Sequence, residues 1–246
     1  MDKEFFESGY ILDFDGVICD SNLEVYATSL MAYLSMIGVH VDDHAILDDH
    51  IFFDEFIKFR DLGRISSDFY NLWIKVFQDN DLKKYLPQNE EISVETRSQY
   101  RATFFSVREN RKRLNMNAWL SSNIIYEHVV KVLNKALKER NIYIASAKDE
   151  DSIYQILQFN GFNIDKSRVF GSQKYIDKDD IFKAIIQVSE CKHWKYIEDN
   201  MINVEKGKKF GFECYYATWG YGDSEANNSQ DVIDIIPGNL HKFFNL

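Results

Sequence analysis

The chain has 246 residues, 45% apolar and 15% aromatic, enough for one large domain or a core domain carrying a smaller insert. Its 39 acidic and 29 basic residues leave a formal net charge of −10, which argues against partners such as nucleic acid or an anionic membrane, because both need a positive field. Cys19, Cys191 and Cys214 are far apart and odd in number, so no disulfide framework or metal-ligand pair is expected.

In chain order, residues 8–20 predict a buried strand and loop. From Asn22 to about Trp119 the pattern is helical. Leu23, Tyr26, Ala27, Leu30, Met31 and Leu34 recur at helical spacing, and Gly38 marks a stop. Phe52, Phe53, Phe56, Ile57 and Phe59 continue the pattern, as do Phe69, Leu72, Trp73, Val76 and Phe77. Pro87 sits in a polar break, and a basic helix follows over about Val94 to Arg113. Strands and helices then alternate. Helices are expected over Tyr126–Lys138, Asp151–Phe159, Asp179–Ser189 and Val204–Lys208. Strands are expected over Ile142–Ala145, Val169–Phe170, Trp194–Ile197 and Glu213–Thr218. This alternation predicts an α/β fold, a doubly wound parallel sheet with helices on both faces. Such sheets carry their chemistry at the carboxyl ends of the strands. Asp13, Asp15, Ser146, Glu198 and Asp199 all fall at such ends.

The most informative run is Tyr10-Ile11-Leu12-Asp13-Phe14-Asp15-Gly16-Val17-Ile18-Cys19-Asp20-Ser21. An apolar strand ends in two carboxylates one residue apart, and Gly16 permits a tight turn. Because the chain turns here, one acid can attack an electrophile while the other trades a proton. Asp20 and Ser21 are expected to cap the next helix. Three further runs follow in order: Ile142-Tyr143-Ile144-Ala145-Ser146, a lysine opening a helix, and Tyr196-Ile197-Glu198-Asp199-Asn200. The lysine is Lys174 or Lys178. Lys178 is preferred, because Asp177 can cap and Ile181, Ile185 and Ile186 form the helix behind it.

On these four motifs the chain resembles the haloacid-dehalogenase-like phosphohydrolases, in the branch of phosphoglycolate phosphatases and β-phosphoglucomutases. The match covers the first 21 residues and about 120 to 222. The resemblance implies a catalytic core of residues 1–21 and 120–246, with a helical cap domain inserted at 22–119. It implies that Asp13 is the nucleophile forming an aspartyl-phosphate, and that Asp15 is the general acid and then the base. True dehalogenases lack the second Asp, so Asp15 favours phosphate chemistry. Ser146, with the Ala147 amide, would bind a phosphoryl oxygen. Lys178 would neutralise the phosphoryl group and Asp13. The implied cofactor is Mg²⁺, held by Asp13, the Asp15 backbone carbonyl and Asp199, with Glu198 as the site's further metal-associated acid, holding a metal-bound water or standing behind the ligands. The chain departs from the family in two places: its lysine motif has no Lys-Pro, and Asn203 stands where a second acid is frequent. Thr218 to Gly222 resembles the family's final strand and turn, with a structural role.

In this branch the cap excludes water and selects the substrate. Arg97, Arg101 and Arg108 fall roughly on one helical face, and an Arg fork there suits a second anionic group on the substrate. Arg108 and Arg60 are the candidates, with Arg64 beside them; the plainer reading is a solvated basic face. His40, His44 and His50 are expected to be solvated. The expected activity is hydrolysis of a small-metabolite phosphomonoester such as a sugar phosphate, phosphoglycolate, or a phosphorylated polyol or amino alcohol. A phosphomutase uses the same motifs, and a catalytically silent binding domain is the third reading. The remaining expectations are a cytoplasmic protein, monomeric or homodimeric, with a small phosphorylated molecule as its partner.

Overall fold

The structure is a computed structural model that describes residues 7–39, 52–87, 93–175, 177–222 and 231–246. The expectation for His40, His44 and His50 lies outside the described residues. The chain divides into two compact units, one formed by 1–20 and 124–246 and the other by 21–123.

In the first unit, β1 (Ser8–Leu12), β4 (Asn141–Ala145), β5 (Val169–Phe170), β6 (His193–Glu198), β7 (Glu213–Ala217) and β8 (Ile233–Ile235) form one sheet in the order β5-β4-β1-β6-β7-β8. Every pairing in it is parallel. Four of the five residues of β1 and of β4 are buried, which fits a sheet covered on both faces. Full burial of side chains such as Ile11, Ile144 or Ile197 stabilises the fold by about 1.5–3 kcal/mol each. The crossover helices are α6 (Glu127–Glu139), α7 (Glu150–Phe159), α8 (Lys178–Val188) and α9 (Met201–Lys209). α10 (Leu240–Phe243) closes the unit, and Phe243 and Phe244 pack against Tyr10. β2 (Cys19–Asp20) and β3 (Ile124–Ile125) pair antiparallel beside the sheet.

The order places β1 at the centre. The chain builds outward to β5, then crosses back over β1 to β6. The strand order therefore reverses at β1, where a crevice opens beyond the carboxyl ends. The register sets its floor: Leu12 lies opposite both Ile144 and Ile197, so the residues after β1, β4 and β6 emerge at one level.

The second unit is helical throughout its described residues, with α1 (Asn22–Met36), α2 (Phe53–Lys58), α3 (Phe69–Asp79), α4 (Val94–Leu114) and α5 (Met116–Ser121), joined by short 3₁₀ turns. It extends to Asn123, past the expected end at 119, because α5 runs through that position. Tyr26, Phe56, Trp73, Phe77 and Tyr100 build its aromatic core. Two of their polar atoms are satisfied within the unit: the Trp73 indole donates to Ser29 Oγ (2.9 Å) and the Tyr100 hydroxyl to the Ser29 carbonyl (2.9 Å). Among the described residues, no helix is long and apolar enough to cross a membrane.

Two local expectations are corrected. Ser21 stands before α1 but makes no side-chain bond to its amides. Its ψ of 11° is outside the extended range from which a capping hydroxyl reaches the first turn. Asp20 lies in β2 and accepts from the Tyr221 hydroxyl at 3.4 Å instead. Asp177 does cap α8, accepting from the Asp179 amide at 2.8 Å.

Candidate active site

Asp13 follows β1 directly. Its amide donates to the Ile197 carbonyl at 3.0 Å, so the ladder to β6 runs one residue past the strand. The chain then turns at Gly16, whose φ is +87°. A Cβ there would lie 2.0 Å from Asp199 Oδ2, so the position excludes any side chain on both counts. On the far side Gly220 packs as closely, with a Cβ clash at 2.2 Å against Asp199 Cβ. The next amide, Tyr221 N–H, donates to Asp199 Oδ2 at 2.6 Å. The turn after β7 therefore orients Asp199, which gives the Trp219-Gly220-Tyr221 run a physical reason.

Of the two candidate lysines, Lys178 is the one in the crevice. It is the first residue of α8, and its Nζ donates to Asp13 Oδ1 (2.9 Å), the Ala145 carbonyl (2.7 Å) and Glu198 Oε2 (2.9 Å). Those three bonds use its three protons, and the Tyr196 hydroxyl oxygen is a longer fourth neighbour at 3.3 Å. Ser146 is buried after β4, and its Oγ accepts from the Lys148 amide at 3.2 Å. Ala147 is exposed at that turn.

Lys148 is a site residue that sequence reasoning missed. Its side chain is 1% exposed, and its Nζ meets Asp15 Oδ1 at 3.1 Å. A lysine two residues beyond a strand looks like any surface lysine in the sequence; only the position of Asp15 gives it a partner.

Glu198 is held by the protein's own donors. Its Oε2 accepts from Lys178 and from the Tyr196 hydroxyl, and its Oε1 from the amides of Asp199 and Asn200, each at 3.2 Å. Four donors fill the four acceptor positions of a carboxylate. Its oxygens lie close enough to those of Asp13 and Asp199 to share a cation, all within 4.8 Å, but they are already engaged.

Arg60 and Arg108 are corrected too. The α4 face that carries Arg108 turns into the second unit's own core, where Tyr100, Phe104, Arg108 and Arg111 are buried together. Arg108 forks on Glu24, with Nε to Oε1 and Nη2 to Oε2 both at 2.9 Å. The fork that was expected to take a substrate anion already holds a carboxylate. Arg60 is buried as well, with Nε donating to Asn22 Oδ1 at 3.1 Å and Nη1 to the Gly63 carbonyl.

The electrostatics of the crevice are those of crowded acids. Burial pushes the Asp13 carboxyl up to about 8; Glu198 adds to this and Lys178 only partly offsets it. Burial likewise raises Glu198. Burial works against the charge on Lys178, but Asp13 and Glu198 outweigh it and the ammonium is held. With all four ionised, Asp13, Asp15, Glu198 and Asp199 would outnumber Lys148 and Lys178 by two negative charges. One divalent cation would balance them. Asp13 and Asp199 are oxygen donors of the hard kind Mg²⁺ takes, so the residues present fit that ion.

Among solved structures, the chain is similar to a predicted phosphatase from Clostridium acetobutylicum: 18% identity, 96% of this chain and 97% of the other covered, TM-score 0.63. It is similar to a predicted phosphoglycolate phosphatase from Haemophilus somnus at 15% identity, covering 98% and 99%, with a TM-score of 0.63. A protein tyrosine kinase A from Mycobacterium tuberculosis matches over the whole of both chains at 14% identity and a TM-score of 0.60. No family model and no curated protein matches the chain. The fold is that of the haloacid-dehalogenase-like hydrolases, an α/β core with a parallel sheet. Likeness at this identity speaks for the fold; what the site does has to be argued from its side chains.

Proposed function

We propose that the chain is a Mg²⁺-dependent phosphatase that hydrolyses a small-metabolite phosphomonoester through an aspartyl-phosphate on Asp13. The observation that carries this reading is the pairing of Asp13 with Lys178 at 2.9 Å in a buried crevice that also holds Asp199. A carboxylate can approach a phosphoryl group only where its own charge is offset, and Lys178 supplies that offset.

In this reading Asp13 Oδ attacks phosphorus as the ester oxygen leaves. Asp15, two residues on at the turn, gives that oxygen its proton. Asp15 then takes a proton from the water that attacks the phosphorus of the aspartyl-phosphate, which releases phosphate and restores Asp13. Lys148 holds Asp15 on the turn by its 3.1 Å bond. Ser146 and the Ala147 amide flank the phosphoryl oxygens. Asp13, Asp199 and the Asp15 carbonyl would hold Mg²⁺, which supplies neutralisation of phosphoryl charge and a fixed orientation of its oxygens.

The test is a screen of phosphate release over sugar phosphates, phosphoglycolate, and phosphorylated polyols and amino alcohols, with Mg²⁺ and with chelator. Release from at least one class, lost on chelation, is the expected result. A folded protein that releases phosphate from none of them overturns the proposal.

A further inference from the structure

Tyr196 stands two residues before Glu198 on β6, and side chains at i and i+2 of a strand share a face. Its ring packs edge-on against Phe182, and the residue is fully buried. Burial holds the phenol proton on, since it raises the hydroxyl far above its ordinary value. The group is therefore a permanent donor, and it donates to Glu198 Oε2. Its oxygen receives a long contact from Lys178 at 3.3 Å.

We infer that Tyr196 sets the metal's ligand number: by donating to Glu198 Oε2 it keeps that glutamate on Lys178 and off the cation, leaving Asp13 and Asp199 as the two carboxylate ligands. The inference rests on the metal reading above. Of the four donors that fill Glu198, two are amides of the turn and one is Lys178, which carries charge. The Tyr196 hydroxyl is the one donor whose removal changes neither the backbone nor the net charge. The consequence is selectivity. Mg²⁺ keeps several waters and takes one or two carboxylates, whereas Ca²⁺ gathers six to eight oxygens at longer distances. A third carboxylate would favour the larger ion. Tyr196 is thus a positioning residue, acting on the cation through Glu198.

The experiment is calorimetric titration of the full chain with Mg²⁺ and with Ca²⁺, for wild type and Tyr196→Phe, with near-UV circular dichroism to confirm folding. The expected result is a shift of the Ca²⁺/Mg²⁺ affinity ratio toward Ca²⁺ by about tenfold in the variant, the scale on which a residue behind a metal ligand acts. A ratio unchanged within about twofold overturns the inference. The crystal structure of the wild type with Mg²⁺ gives a second readout that does not depend on the variant. It should show the ion on Asp13 and Asp199, with Glu198 still on Tyr196 and Lys178. A Glu198 oxygen at about 2.1 Å from Mg²⁺ overturns this inference and leaves the phosphatase reading standing. No cation on Asp13 and Asp199 overturns both.

Discussion

The Asp13 carboxyl is surrounded by protein, with Glu198 and Asp15 close by and Lys178 shared with Glu198. A carboxylate placed this way is unfavourable to the fold, because its ionised form is the disfavoured one. Asp13→Asn keeps the shape and removes both the proposed nucleophile and the crowding charge. Phosphate release should fall by at least about a thousandfold, the scale on which loss of a nucleophile acts. At pH 8.5 without metal, the melting temperature of the variant should exceed that of wild type. Paired turnover and thermal-melt measurements check this; an active variant, or one that melts lower, contradicts the placement. Asp13 was legible in the sequence because its signal is local, an apolar strand ending in acids. Tyr196 was not: in the sequence it is one more apolar strand residue, and its hydroxyl acquires a meaning only when Glu198 and Lys178, 18 residues before it on α8, meet it.

At the scale of elements, the second unit is organised around Glu24. This residue of α1 is fully buried and accepts from Arg108 of α4, from Thr28 Oγ1 at 2.8 Å and from the Trp119 indole of α5 at 3.1 Å. Arg111 donates to its backbone carbonyl at 3.1 Å and to Thr28 Oγ1 at 2.7 Å. One carboxylate thus ties three helices. Glu24→Gln keeps the volume but leaves the Arg108 guanidinium buried without its counter-charge, which should cost about 3–5 kcal/mol. Replacing the pair together, Glu24→Leu with Arg108→Met, should recover only part of that loss: a buried ion pair is worth little against apolar residues of similar size, but the Trp119 indole and Arg111, 3.9 Å from Glu24 Oε1, lose that carboxylate too. Urea unfolding of the three proteins checks the order; a Gln variant as stable as wild type would show that the pair does not hold the helices. The helices themselves were readable from their apolar periodicity, and α4 runs Val94–Leu114 against an expected Val94–Arg113. The Glu24–Arg108 pair was not, since its members are 84 residues apart and periodicity carries no information about which charge meets which. β8 was missed for a related reason: Ile233–Ile235 is three residues long with an aspartate in the middle, too short for alternation to show.

At the scale of the whole molecule, the crowded acids make the proposed metal binding and the stability two readings of one proton. Asp13 has an ordinary value of 3.8 and is raised to about 8 in the fold. Between those limits the folded chain holds a proton that the unfolded chain has released. The contribution is therefore fully present below about pH 4 and is lost as pH rises through 8, so metal-free stability falls across that window. Mg²⁺ on Asp13 must displace the same proton. Its apparent affinity should then climb toward tenfold per pH unit as pH rises to about 8, and level off above it. Lys178 does not interfere: its pKa is raised rather than lowered, so the ammonium keeps its proton throughout the window. The rise in melting temperature caused by Mg²⁺ should accordingly be small at pH 5.5 and large at pH 8. In Asp13→Asn, where no proton has to leave, that pH dependence should flatten. Thermal melts of both proteins at four or five pH values, with and without Mg²⁺, decide the matter. An equal Mg²⁺ effect at pH 5.5 and pH 8 in wild type would mean that the cation does not sit on Asp13, and the case for charge neutralisation at the attacking carboxylate would fall with it.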